Sequence, residues 1–222
     1  MRPRTNICVL DTETVGGAIR PTGVYNLGFV ISQMTTGKEL FRINILIREH
    51  YDKIKNDDYA KRNWDKYQKW AKERSVLIVD TEWQAINLCR TICKGYNVTY
   101  LSAYNSGFDF GKTKCRVLLK DFQFIDIYLM ALQTVTHLKK YKQFCIDNGY
   151  LTPSGKKCST TAEAVYAFIS NNGSYEEEHT ALSDALIEKE IFDYCLKMHK
   201  KYTKNCHNFH CKDRASKCFP KP

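Results

Sequence analysis

Three apolar runs rich in strand-forming residues crowd the first 47 residues: Asn6 to Leu10 (NICVL), Val24 to Ile31 (VYNLGFVI) and Leu40 to Ile47 (LFRINILI). Gly16-Gly17 and Thr36-Gly37 stand between them as turn signals. Neither link shows a helical period, and antiparallel neighbours are the ones a turn can join, since parallel strands need a long crossover. The chain is therefore expected to begin as a three-stranded antiparallel meander.

Beyond residue 47 the pattern changes. Residues 58 to 73 carry aromatics at 59, 64, 67 and 70, the spacing of one helix face, read here as a packing stripe. Thr81 to Tyr96 has apolar positions at 83, 86, 89, 92 and 93, with Thr81 placed to cap the helix and Gly95 to stop it. VTYLSAY, from Val98, reads as a short buried strand; a helical segment follows NSGFDFGKT, and FQFIDIY, from Phe122, is another strand. Helices are expected over Tyr128 to Asn148, Thr160 to Ile169 and Thr180 to Lys201. The order β-β-β-α-β-α-β, then helices, implies an α/β fold in which helices flank a mixed five-stranded sheet.

The first strand runs straight into DTET. Residues two apart on an extended chain share a face, so Asp11 and Glu13 are neighbours of like charge. Such a pair is either a solvated strand end or one half of a cation site. Two further segments bear on the choice. LSAYNSGFDFGKT places Asp109 just past the fourth strand, and EEEHTALSDALIEKEIF places His179 five residues before Asp184 at the start of the last long helix. Read alone, each of these is a loop acid or a helix start.

Taken together in this chain order, Asp11, Glu13, Asp109, His179 and Asp184 resemble the DEDDh (DnaQ-like, RNase T-like) 3′–5′ exonucleases, over residues 5 to about 200. The motifs are DTET, NSGFD and HTALSDA; the last is the most specific, because the sister subfamily carries Tyr four residues before the final Asp. Segments such as NGYLTPSGK and EEEHTALSDALIE look most like short stand-alone phage or bacterial members. The resemblance implies a ribonuclease H-like fold, a cytoplasmic setting in a bacterial cell or phage-infected host, and release of nucleoside monophosphates from the 3′ end of single-stranded or frayed nucleic acid, DNA favoured. The alternatives are an exoribonuclease of RNase T or oligoribonuclease type and a catalytically silent nucleic-acid-binding module.

The chemistry accounts for the residue types. Phosphodiester hydrolysis needs an activated water and neutralisation of phosphate charge, which two divalent ions supply, and carboxylate oxygens select Mg²⁺ or Mn²⁺. By the family pattern Asp11 bridges both ions, Glu13 and Asp184 complete the first, Asp109 serves the second, and His179 takes the proton of the attacking water. The pattern also places Thr14, Gly16 and Gly17 beside the terminal nucleotide, or in a mere turn. Asn105 orients the site or caps its loop, and Asp126 is read as a helix cap. Lys139 to Ile169 exceeds a minimal core and is either a substrate-side extension or packing.

Composition enters at the tail. The formal net charge is +10, and from Cys195 to Pro222 eight lysines or arginines face one acid, Asp213. We divide the chain into an exonuclease domain at 1–201 and a basic tail at 202–222, a contact surface for polyanions or a solvated appendage. Four of the ten cysteines also lie between Cys195 and Pro222. Cys206, Cys211 and Cys218 with His207 or His210 suit Zn²⁺, with Cys195 and His199 as other candidates; reduced thiols and a disulfide are the alternatives. Cys8, Cys89, Cys93, Cys115, Cys145 and Cys158 are expected to be buried free thiols. No apolar run approaches the ~20 residues that cross a bilayer, and MRPRTNI lacks a signal-peptide core. The expectation is a soluble intracellular protein without a membrane partner.

Overall fold

The alternation of the first strand decides the layering. In a computed structural model, which describes residues 5–16, 23–58 and 60–202 (side chains of 199–202 excepted), strand β1 (Asn6–Val15) turns Cys8 and Leu10 toward one hydrophobic cluster and Ile7 and Val9 toward another. Both faces of the sheet are therefore covered. β2 (Gly23–Gln33) pairs antiparallel with β1, and β3 (Glu39–Ile47) antiparallel with β2. The expected meander is present.

The full sheet has six strands in the order β4-β3-β2-β1-β5-β6, one more than expected. The added strand, β4 (Leu77–Val79), pairs parallel with the edge of β3. Three residues are too few to show a period, which is why it was not legible. β5 (Val98–Ala103) lies parallel to β1, and β6 (Gln123–Asp126) parallel to β5. The mixed α/β architecture stands with that correction.

A one-turn helix, α1 (Arg48–Tyr51), follows β3. The aromatic stripe of 58–73 divides into a 3-10 turn (Ala60–Asn63) and α2 (Trp64–Glu73), where fully buried Tyr67 packs edge-on to Tyr25 and Trp70. α3 (Glu82–Gly95) begins at Thr81 with reciprocal side-chain to backbone bonds between Thr81 and Gln84. The helical segment after NSGFDFGKT is a 3-10 helix, Lys114–Lys120. The stretch expected as one helix from Tyr128 is two, α4 (Ile127–Thr134) and α5 (Lys139–Asn148). The break falls in VTHL, where β-branched Val135 and Thr136 disfavour continuation. α6 (Ala162–Ile169) and α7 (Ala181–Tyr202) complete the described residues.

α3 covers one face of the sheet, and α4, α6 and α7 cover the other. α7 lies close: a Cβ on Gly28 of β2 would sit 2.2 Å from the backbone of Ala181 and Leu182. Only glycine permits that approach. All seven described cysteines are free thiols; Cys158 is half-buried rather than buried. Cys195 is fully buried, with the Thr134 hydroxyl donating to its sulfur at 3.0 Å. Gly17, the side chain of His199, and Cys206, His207, His210, Cys211 and Cys218 lie outside the described residues. Among the described residues no helix is long and apolar enough to cross a membrane.

Candidate active site

Ile7 and Val9 face α7, and the same alternation carries Asp11 and Glu13 onto that face. Asp184 comes from the first turn of α7 to meet them. One ligand atom each from Asp11, Glu13 and Asp184 all lie within 4.8 Å of one another.

Asp109 arrives from the loop after β5. It is 2% exposed, and the Thr12 hydroxyl donates to its Oδ1 at 2.6 Å, tying the loop to β1 between the two strand acids. The loop is further fixed by Phe108 N–H to Asn105 C=O (2.8 Å) and Phe110 N–H to Ser106 C=O (2.9 Å). Ser106 Oγ donates to Asp126 at 2.8 Å, and Asp126 caps α4 by accepting from Leu129 N–H. The capping reading of Asp126 holds.

All five residues of the predicted catalytic set line one cavity of about 810 Å³. Thr14 and Asn105 line it as well. Gly16 does not; its N–H donates to Asp57 at 2.7 Å, in an exposed turn. Three further acids in the wall, Glu163, Glu177 and Glu188, were not singled out from sequence. Glu188, 4% exposed, lies one helical turn beyond Asp184 and accepts from Tyr104 N–H at 3.0 Å. Glu177 stands beside His179, with Oε2 3.8 Å from Nδ1. Glu188 was findable: it is at i+4 from Asp184, so it shares that helix face.

Crowding shows in the acidities. Burial, then repulsion from Asp109, Glu188, Asp184 and Glu13, pushes the Asp11 carboxyl well above the usual carboxylate range. Burial likewise raises Asp109 to about 7, against the Thr12 hydrogen bond, and Asp184 to about 7, against the Ser183 hydroxyl. Burial and the charge of Asp184 raise Glu177 to about 8. The Arg62 guanidinium opposes the rise at Glu13, Glu177 and Asp184. Such a set is stable as anions only with added positive charge among them, and its all-oxygen donors fit hard divalent cations. The residues present therefore fit the metal that the motif implies.

His179 has the opposite shift. Burial, with Arg62 and Lys66, lowers its pKa, so the imidazole is neutral near pH 7 and able to accept a proton. Its backbone is left-handed (φ 54°), unusual for a residue with a side chain. Two buried asparagines hold that turn: Asn63 donates to His179 C=O at 2.5 Å, and Asn26 accepts from Ala181 N–H at 3.0 Å.

No family model matches the sequence, and no curated relative does. Solved structures do. A 3′-exonuclease described as recognising the 3′ end of a histone mRNA stem-loop superposes with a TM-score of 0.56 at 12% identity, over 87% of this chain and 82% of that one. The nuclease domain of 3′hExo, described as a DEDDh family member bound to rAMP, gives 0.51 at 13% identity, over 88% and 94%. An exonuclease I from Methylocaldum szegediense gives 0.54 at 14% identity, over 90% of this chain and 41% of that one. The chain has the fold of the DEDDh 3′-exonucleases. Within that DEDDh fold, the acids and the histidine singled out from sequence meet at one cavity.

Proposed function

We propose that this chain is a divalent-metal-dependent 3′–5′ exonuclease acting on single-stranded or frayed nucleic acid, through residues 1–201, and that residues 202–222 add a basic appendage. The observation that carries the reading is the convergence of Asp11, Glu13 and Asp184 within 4.8 Å, with Asp109 and His179 on the same cavity wall.

Asp11, Glu13, Asp109 and Asp184 would hold two Mg²⁺ or Mn²⁺ ions, whose chemistry when bound is to activate water and neutralise phosphate charge. Asp11, repelled by Asp109, Asp184 and Glu13 alike, would help to hold both. Thr12 keeps the Asp109 carboxylate aimed at the cavity through its 2.6 Å bond. His179, neutral at working pH, accepts the proton of the water that attacks phosphorus; the P–O3′ bond breaks, leaving a nucleoside 5′-monophosphate and a chain shortened by one. Thr14 and Asn105 contact the terminal nucleotide.

A second reading, an exoribonuclease, is favoured by the two neighbours described with a histone mRNA stem-loop and with rAMP. Rates on matched single-stranded DNA and RNA in Mg²⁺ choose between the two. Release of neither nucleotide, with nucleic-acid affinity unchanged by EDTA, would leave only the silent binding module.

A further inference from the structure

The segment between α4 and α6 joins the cavity to a positively charged surface. From Lys139 to Cys158 the chain has five lysines (139, 140, 142, 156 and 157) against one acid, Asp147, which accepts from Gln143. All five are exposed, and none is ion-paired with a described carboxylate. On α5, Tyr141 and Cys145 turn inward, so Lys139, Lys142 and Ile146, at i, i+3 and i+7, share the outward stripe. Ile146 is 60% exposed, and Leu151, just past the helix, 37%. Apolar side chains interspersed with unpaired lysines form a surface that bases and phosphates can share.

This surface is built onto the cavity wall. Cys158 Sγ contacts Lys142 C=O at 3.7 Å, Tyr141 OH donates to Ser159 C=O at 2.7 Å, and Tyr104 OH donates to Thr160 C=O at 2.7 Å. Thr160 and Tyr104 line the cavity. An acid-lined cavity repels the remaining phosphates of a polynucleotide, so the strand upstream of its 3′ end gains from cations just outside.

We infer that the lysine-bearing face of residues 139–158 is the track for the single strand upstream of the terminal nucleotide, which assigns to this extension the selection of oligomers over short fragments. The inference rests on the exonuclease reading for its direction but is tested by binding alone.

The test is fluorescence anisotropy of the full chain in EDTA, with labelled single-stranded dinucleotide and dodecamer probes over a salt series. The triple variant Lys139→Glu, Lys142→Glu, Lys157→Glu is compared with a charge-matched control, Lys38→Glu, Lys72→Glu, Lys120→Glu, on the remaining surface. Circular dichroism establishes that each is folded. Wild-type protein is expected to bind the dodecamer far more tightly than the dinucleotide. The triple variant should lose about tenfold or more of dodecamer affinity, with a log–log salt slope shallower by about 2, as expected for three lost single-strand phosphate contacts. The control should stay within twofold. Equal losses in both variants, or dodecamer binding unchanged in the triple variant, would overturn the track. Length-dependent binding without nucleotide release in Mg²⁺ would keep the track and remove the exonuclease reading.

Discussion

Asn63 donates its side-chain N–H to the backbone carbonyl of His179 at 2.5 Å, across 116 residues of chain. Asn63 is 8% exposed, and His179 holds a left-handed backbone that costs an L-residue about 1–2 kcal/mol. The bond therefore supports a conformation the turn would not keep by itself. Asn63→Ala is predicted to lower kcat about 10- to 100-fold, the scale of a ~1 Å misplacement of a reacting group, with KM changed little. A KM rise at constant kcat would show that Asn63 serves substrate binding instead.

His179→Ala removes the proton acceptor while the carboxylates remain. Turnover should fall about 100- to 10,000-fold with divalent-ion affinity, read by calorimetry, intact. Affinity falling in step with rate would make His179 a ligand, a role its place within 4.8 Å of Glu177 and Asp184 permits.

Asp11→Asn, Asp109→Asn and Asp184→Asn should each abolish nearly all turnover while leaving the metal-free protein at least as heat-stable as wild type. Each change removes one charge from a repelling, buried set. Full activity in any of the three would dissolve the assignment of that residue.

Stability should also depend on pH in a direction unusual for carboxylates. Asp109 and Asp184 are raised to about 7 and Glu177 to about 8, above the ~4 of an unfolded carboxylate. Between those values the folded chain holds protons that the unfolded chain has released, so stability falls as pH rises. Burial lowers His50 as it does His179, so between about pH 6.5 and 7.5 the last histidine protons of the unfolded chain oppose this trend in part, and above that both histidines are neutral in both states. In EDTA, Tm is predicted to decline from about pH 6.5 to about pH 8.5, and less so in Mg²⁺ or in Asp184→Asn. A flat or rising Tm would contradict the proposed crowding of acids.

Period and spacing made the meander, the Thr81 cap and the acids and histidine that meet at the cavity readable, because a two-residue alternation and a five-residue interval are local quantities. β4 was not readable at three residues, nor was the α4–α5 break, which β-branched residues signal only weakly. Glu188 has a local signal, its i+4 interval from Asp184. Asn63 and Asn26 had none: their work is done on backbone 116 and 155 residues away, where tertiary packing, for Asn26 that of α7 against β2 at Gly28, brings them.

The central claim is removal of nucleotides from a 3′ end at the Asp11, Glu13, Asp109 and Asp184 cluster. It is tested most directly by incubating a 5′-labelled single strand, with its 3′ end free or blocked, with the protein in Mg²⁺ and resolving the products. The account predicts a ladder shortening one nucleotide at a time from the free 3′ end, release of 5′-monophosphates, no ladder in EDTA, and little degradation of the blocked strand. Internal cuts, or equal degradation of free and blocked strands, would contradict it.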